Sequence, residues 1–136
     1  MAHEELNGGG IFPLGGKAES EYFTGETYRN MIFTDPEPLN AAIGSVTFAP
    51  GSRTNWHTHK VGQVLLVTGG EGWYREEGKP AQPLKQGDVV NIPANVKHWH
   101  GAAQNSWFVH IALTPGETQW LEPVEDEAYG RLGQGE

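Results

Sequence analysis

Gly51-Ser52-Arg53-Thr54-Asn55-Trp56-His57-Thr58-His59-Lys60-Val61-Gly62-Gln63, with Gly70 seven residues beyond, is the stretch on which the reading of this chain turns. On a strand successive side chains alternate faces, so His57 and His59 point the same way and Thr58 the other. Two imidazoles therefore converge on one point. A second segment carries Gly87, Pro93 and His98 and can bring a third imidazole to the same place. The spacing reads as a mononuclear metal site built on two hairpins of a small β-barrel.

Working outward, the 136 residues fit one domain with a single hydrophobic core. Nineteen glycines and nine prolines, scattered between short apolar runs, suit an all-β fold with many turns. Strands are expected at 21–24, 28–34, 42–48, 54–59, 63–68, 72–76, 80–84, 89–92, 97–102 and 107–113, which is the pattern of a sandwich or barrel. Asp35-Pro36-Glu37-Pro38 breaks the series, because neither proline can donate to a ladder. One short helix is expected after Pro123. Gly8-Gly9-Gly10 and Gly15-Gly16 mark residues 1–16 as a flexible arm, leaving 17–136 as the domain. His3 lies in that arm and reads as a solvated side chain.

A net charge of −8 argues against phosphate-backbone binding and against an anionic membrane surface, so nucleic acid and membrane are not expected partners. There is no cysteine, which removes disulfides, thiolate nucleophiles and thiolate-bound zinc. Any metal must use nitrogen and oxygen ligands. No apolar run approaches the ~20 residues of a membrane span and the N-terminus lacks a secretory pattern, so a cytoplasmic protein is expected.

These residues resemble the two motifs of the cupin superfamily. Gly51, His57, His59, Gln63 and Gly70 fill the first, with glutamine where glutamate is usual; Gly87, Pro93 and His98 fill the second, with Asn95 in place of its glycine and Ala102 in place of its asparagine. Thr54 to His59, Gly62-Gln63 and Lys97 to Ala102 are similar to the small single-domain bacterial cupins that include manganese-dependent hydroxynitrile lyases. The resemblance implies a conical, jelly-roll-like β-barrel that forms homodimers or higher homo-oligomers. It implies a divalent metal held by His57, His59, Gln63 and His98, manganese first, with iron, nickel or zinc as alternatives. It also places a pocket histidine at His110, a candidate general base.

The residues themselves agree with the same four ligands. A neutral amide at Gln63 leaves the charge of a dication uncompensated and so strengthens its Lewis acidity. Four protein ligands on a six-coordinate ion leave two positions for substrate, water or dioxygen. His100 shares a face with His98 and is either a catalytic pocket group or a satisfied core histidine. His110, on an apolar strand, is a buried histidine that needs a partner, and an imidazole of pKa ~6.5 suits proton transfer near neutrality. Gly44, Val46, Val67, Leu113, Thr114 and the small alanines are expected to shape an apolar pocket. Trp56 and Trp99 are expected to face outward at a subunit contact, and Arg53 and Lys60 to be solvated.

The expected function is a metal-dependent lyase that makes or breaks a carbon–carbon bond beside a hydroxyl or carbonyl of a small-molecule substrate. Alternatives are an iron dioxygenase, a sugar-acid or lactone isomerase or decarboxylase, and a non-catalytic metal-dependent ligand-binding cupin.

Overall fold

A computed structural model describes residues 11–35 and 37–133; His3 and the first ten residues of the expected arm lie outside the described residues. Twelve strands follow one another: β1 (Gly16–Lys17), β2 (Phe23–Thr24), β3 (Thr27–Phe33), β4 (Ala41–Phe48), β5 (Arg53–Thr54), β6 (His57–His59), β7 (Gln63–Glu76), β8 (Gln82–Lys85), β9 (Val89–Ile92), β10 (His98–Ala102), β11 (Phe108–Pro115) and β12 (Thr118–Trp120). A five-residue helix, α1 (Asp126–Gly130), closes the described chain. No described helix is long and apolar enough to cross a membrane.

The strands form one curled, barrel-like sheet whose two walls share β7. From Gln63 to Gly70 this 14-residue strand pairs with β9 and β11; from Glu71 to Glu76 it pairs with β8 and β10. The switch falls at Gly70, whose φ of +71° and approach to the Trp107 carbonyl leave no room for a Cβ. Expecting a break at 69–71, between two strands, misread that glycine. It turns the strand from one wall of the barrel to the other without ending it.

The opposite error occurs at 54–59. One strand was expected there, and the structure has two, β5 and β6. The backbone N–H of Asn55 donates to Tyr22 and that of Trp56 to Glu122, while the Asn55 amide donates to the Glu21 and Leu121 carbonyls. Those long-range bonds replace ladder bonds and pinch the chain just before the His-x-His run. The expected strand at 21–24 is likewise half 3-10 turn, Ser20–Tyr22, with only Phe23–Thr24 extended.

Alternation along β10 divides the interior. His98, His100 and Ala102 point into the barrel, while Trp99 points out into a second cluster with Val124, Tyr129 and Leu132 beneath α1. Trp99 is 1% exposed, so it is a core residue and not the outward-facing one expected. Arg53 is also buried. Its guanidinium donates to the Val124 carbonyl and pairs with Asp126, and it lies over the Tyr129 ring, which pins the C-terminal segment to the barrel. The main core, including Phe48, Leu65, Tyr74, Ile92 and Phe108, fills the barrel around and below the histidines.

Candidate metal centre

Two neighbouring strands, β6 and β10, deliver the three imidazoles. β6 lies between β10 and β12, with His57 opposite both His98 and Trp120, and His59 opposite Thr118. The His57 ring centroid is 4.2 Å from that of His98 and 4.9 Å from that of His59; His59 and His98 are 5.1 Å apart. All three side chains are at most 2% exposed.

What each ring does with its two nitrogens is more informative than proximity. His57 Nδ1 donates to the Asn55 carbonyl at 2.8 Å and His98 Nδ1 to the Val96 carbonyl at 2.9 Å. Carbonyl oxygens only accept, so these bonds place the proton on Nδ1 and leave the Nε2 lone pair free. His59 Nδ1 sits 2.9 Å from Thr118 Oγ1. The Gln63 amide donates Nε2–H to Thr114 Oγ1 at 2.8 Å, which aims its carbonyl oxygen the other way. His59 Nε2, His98 Nε2 and Gln63 Oε1 are buried with no hydrogen-bond partner among the described residues. Buried polar atoms are almost always satisfied, and an outer hydrogen bond on Nδ1 is the usual companion of a metal on Nε2. The donors present therefore fit a cation bound among them.

Among the described residues, His57, His98 and His100 form a group able to hold a metal, with one ring nitrogen of each within 4.8 Å of the others; His59 is not part of that group. His100 thus stands beside the centre. Its Nδ1 is 3.0 Å from His110 Nε2, so the two fully buried rings share one hydrogen, and His100 Nε2 and His110 Nδ1 are left without partners. Neither is the satisfied core histidine that one reading of His100 allowed.

Burial keeps the whole cluster neutral. It is the largest cause of lowered basicity for His57 and for His98, and for His57 the neighbouring His98 adds to it. His59 is brought down to about 4 by burial and then by His98. His100 falls well below the ordinary value through burial and the facing His110, and burial alone takes His110 to about 3. An unfolded histidine titrates near ~6.5, so below that pH the unfolded chain binds more protons than the metal-free fold does. Stability contributed by these groups is present above ~6.5 and is lost as the pH falls toward the folded values, at up to about 1.4 kcal/mol per pH unit for each imidazole that stays neutral. Metal-free protein should therefore melt at a clearly lower temperature at pH 5 than at pH 7. The fall in net negative charge over that interval works in the opposite direction, and an unchanged or higher melting temperature would contradict the neutral cluster.

Above the centre lies a cavity of about 220 Å³, lined by Phe23, Met31, Ala42, Gly44, Val46, Phe48, Ala112 and Trp120 together with the polar side chains of Arg29, Thr54, Thr114, Thr118 and the site residues His57, His59, Gln63, His100 and His110. Of the residues expected to shape it, Gly44, Val46 and Thr114 do. Val67 and Leu113 do not: Val67 packs in the main core, and Leu113 alternates away from the face that Ala112 and Thr114 present. Trp120, Thr118, Met31 and Arg29 were not anticipated. Trp120 lies 4.7 Å from His57 and stacks on Tyr22 at 4.8 Å. It belongs to a three-residue strand, too short to show alternation.

Comparisons with known proteins agree with this architecture. A family model described as "Cupin domain" matches residues 44–121, which spans β6, β7, β10 and β11. The chain is 43% identical over 120 residues to a protein named (R)-mandelonitrile lyase from Granulicella tundricola, covering 85% of this chain and 92% of that protein. A solved cupin-like protein of Thermotoga maritima is 45% identical, covers 93% of this chain and 98% of its own, and superposes with a TM-score of 0.88. The DMSP lyase DddQ of Ruegeria pomeroyi, 19% identical and covering 79% of this chain and 55% of its own, shares the fold with a TM-score of 0.61.

Proposed function

The chain belongs to the cupin family, and from that premise we propose that it is a metal-dependent lyase that cleaves or forms the carbon–carbon bond of a small cyanohydrin-like substrate. The observation that carries the reading is the convergence of buried, neutral, outwardly hydrogen-bonded imidazoles and one amide oxygen, with His59 Nε2, His98 Nε2 and Gln63 Oε1 left unpartnered among the described residues. The (R)-mandelonitrile lyase relative supports the reaction class.

We assign His57, His59, His98 and Gln63 as the residues that hold the ion. Imidazoles joined by an amide oxygen, with room for further ligands, suit several divalent transition metals, of which the family resemblance puts manganese first. When bound, the ion supplies Lewis-acid stabilisation of negative charge on the substrate oxygen. The rest is done by the chain. The hydroxyl proton passes to a free ring nitrogen of the dyad, His110 Nδ1 or His100 Nε2, and the hydrogen shared between the two rings fixes their orientation. The carbon–carbon bond then breaks, its electron pair leaves with the cyanide carbon, the oxygen lone pair completes the aldehyde, and cyanide takes the proton back from the dyad. Burial leaves both rings uncharged through the neutral range and one outer nitrogen of the dyad with a lone pair, while it lowers their basicity. Phe48, Val46 and Trp120 keep the reacting carbon in apolar surroundings.

Manganese-loaded protein incubated with mandelonitrile is expected to release benzaldehyde, followed by its ultraviolet absorbance, and chelator-treated protein to lose that activity. Equal release with and without metal would overturn the proposal.

A further inference from the structure

Arg29 lines the cavity on β3, half-buried, and its side chain makes no hydrogen bond or ion pair with any described residue. This is unusual in a chain with 17 acidic and 9 basic side chains, where a guanidinium has many carboxylates to choose from. No aspartate or glutamate is among the residues that line the cavity.

The register fixes where Arg29 stands relative to the chemistry. Arg29 is opposite Val46, and Val46 is opposite His110, so the three lie in one row across β3, β4 and β11. Neighbouring strands are ~4.8 Å apart, which puts the Arg29 and His110 backbones roughly 10 Å from each other. A small molecule whose reacting oxygen lies at the histidine end of that row has its far end beside Arg29. Gln63 adds no charge at the floor, so with a dication bound the cavity carries positive charge at both ends and no negative charge between them.

We propose that Arg29 is the specificity-determining residue of this pocket and that the physiological substrate carries a carboxylate, held by the Arg29 guanidinium at the end opposite the reacting hydroxyl or carbonyl. The inference rests on the reading of the site as a small-molecule lyase and names its substrate class. A guanidinium matches a carboxylate with two parallel N–H···O bonds, a strong form of charge-assisted recognition. Desolvation in the cavity strengthens it relative to an exposed pair, and a local cation offsets the protein's overall negative charge for an entering anion. Mandelonitrile, lacking a carboxylate, would leave Arg29 unused.

Binding of benzaldehyde, 3-formylbenzoate and 4-formylbenzoate to the metal-loaded full chain, measured by calorimetry at low ionic strength, tests this directly. At least one formylbenzoate is expected to bind tenfold or more tightly than benzaldehyde, an advantage that shrinks with added salt. In Arg29→Gln it should fall to threefold or less, and Arg29→Lys should keep part of it. Among the described residues the guanidinium has no hydrogen-bond or ion-pair partner, so Arg29→Gln breaks no such bond with them. Equal binding of the three compounds, absence of binding included, or a preference that survives Arg29→Gln would overturn the proposal. Turnover of mandelonitrile on the same samples separates the two ideas: inactivity with the carboxylate preference intact counts against the lyase and not against Arg29.

Discussion

Alanine at position 57 is expected to strip the protein of bound divalent metal and to lower cyanohydrin turnover by at least a thousandfold. His57 occupies the middle of the arrangement, 4.2 Å from His98 and 4.9 Å from His59 between ring centroids, on a strand held from both sides by β10 and β12. Removing it takes away a neutral nitrogen donor already oriented by the Asn55 carbonyl. Metal content by elemental analysis and turnover should fall together. The metal-free fold should survive, because the same change also removes a desolvated imidazole whose burial disfavours its charged form. A variant that keeps its metal would show that the donors lie elsewhere. Activity without metal would show that the reaction needs none.

Asparagine at position 110 should behave differently. It is expected to leave metal content unchanged and to lower kcat by a hundredfold or more, the usual range for loss of a general base. The readings separate because His110 touches the centre only through His100 and donates or accepts across a single 3.0 Å bond. Asn is polar enough to keep a bond to His100 and too weakly basic to take the proton. Loss of metal in His110→Asn would move this residue into the binding set; unchanged kcat would leave His100 as the base.

The convergence of His57, His59 and His98 was legible in the sequence because it rests on rules that act over a few residues. His57 and His59 share a face by strand alternation, and a second segment with its own glycine, proline and histidine brings His98 to them. The all-β fold followed from glycine and proline spacing, and the helix after Pro123 is present as α1. The features that were not legible depend on contacts between distant parts of the chain. Gly70 reads as a strand breaker until its position beside the Trp107 carbonyl is known. Trp99 and Arg53 read as surface residues because the segment that covers them, Val124 to Leu132, lies far along the chain. Thr118 and Thr114, which orient His59 and Gln63, come from segments more than fifty residues away, and no local pattern marks them as partners. Arg29 belongs to the same class: only the pairing of β3 with β4 brings it into line with His110.

The account stands on a divalent ion held by His57, His59, His98 and Gln63. Elemental analysis of protein purified without added metal, run beside Gln63→Ala, tests it most directly. About one divalent transition-metal ion per chain in the natural sequence, reduced tenfold or more in Gln63→Ala, is the result predicted from a donor set with a single amide oxygen. A natural protein that carries no metal and binds none on dialysis against manganese, or a Gln63→Ala variant with full occupancy, would contradict it.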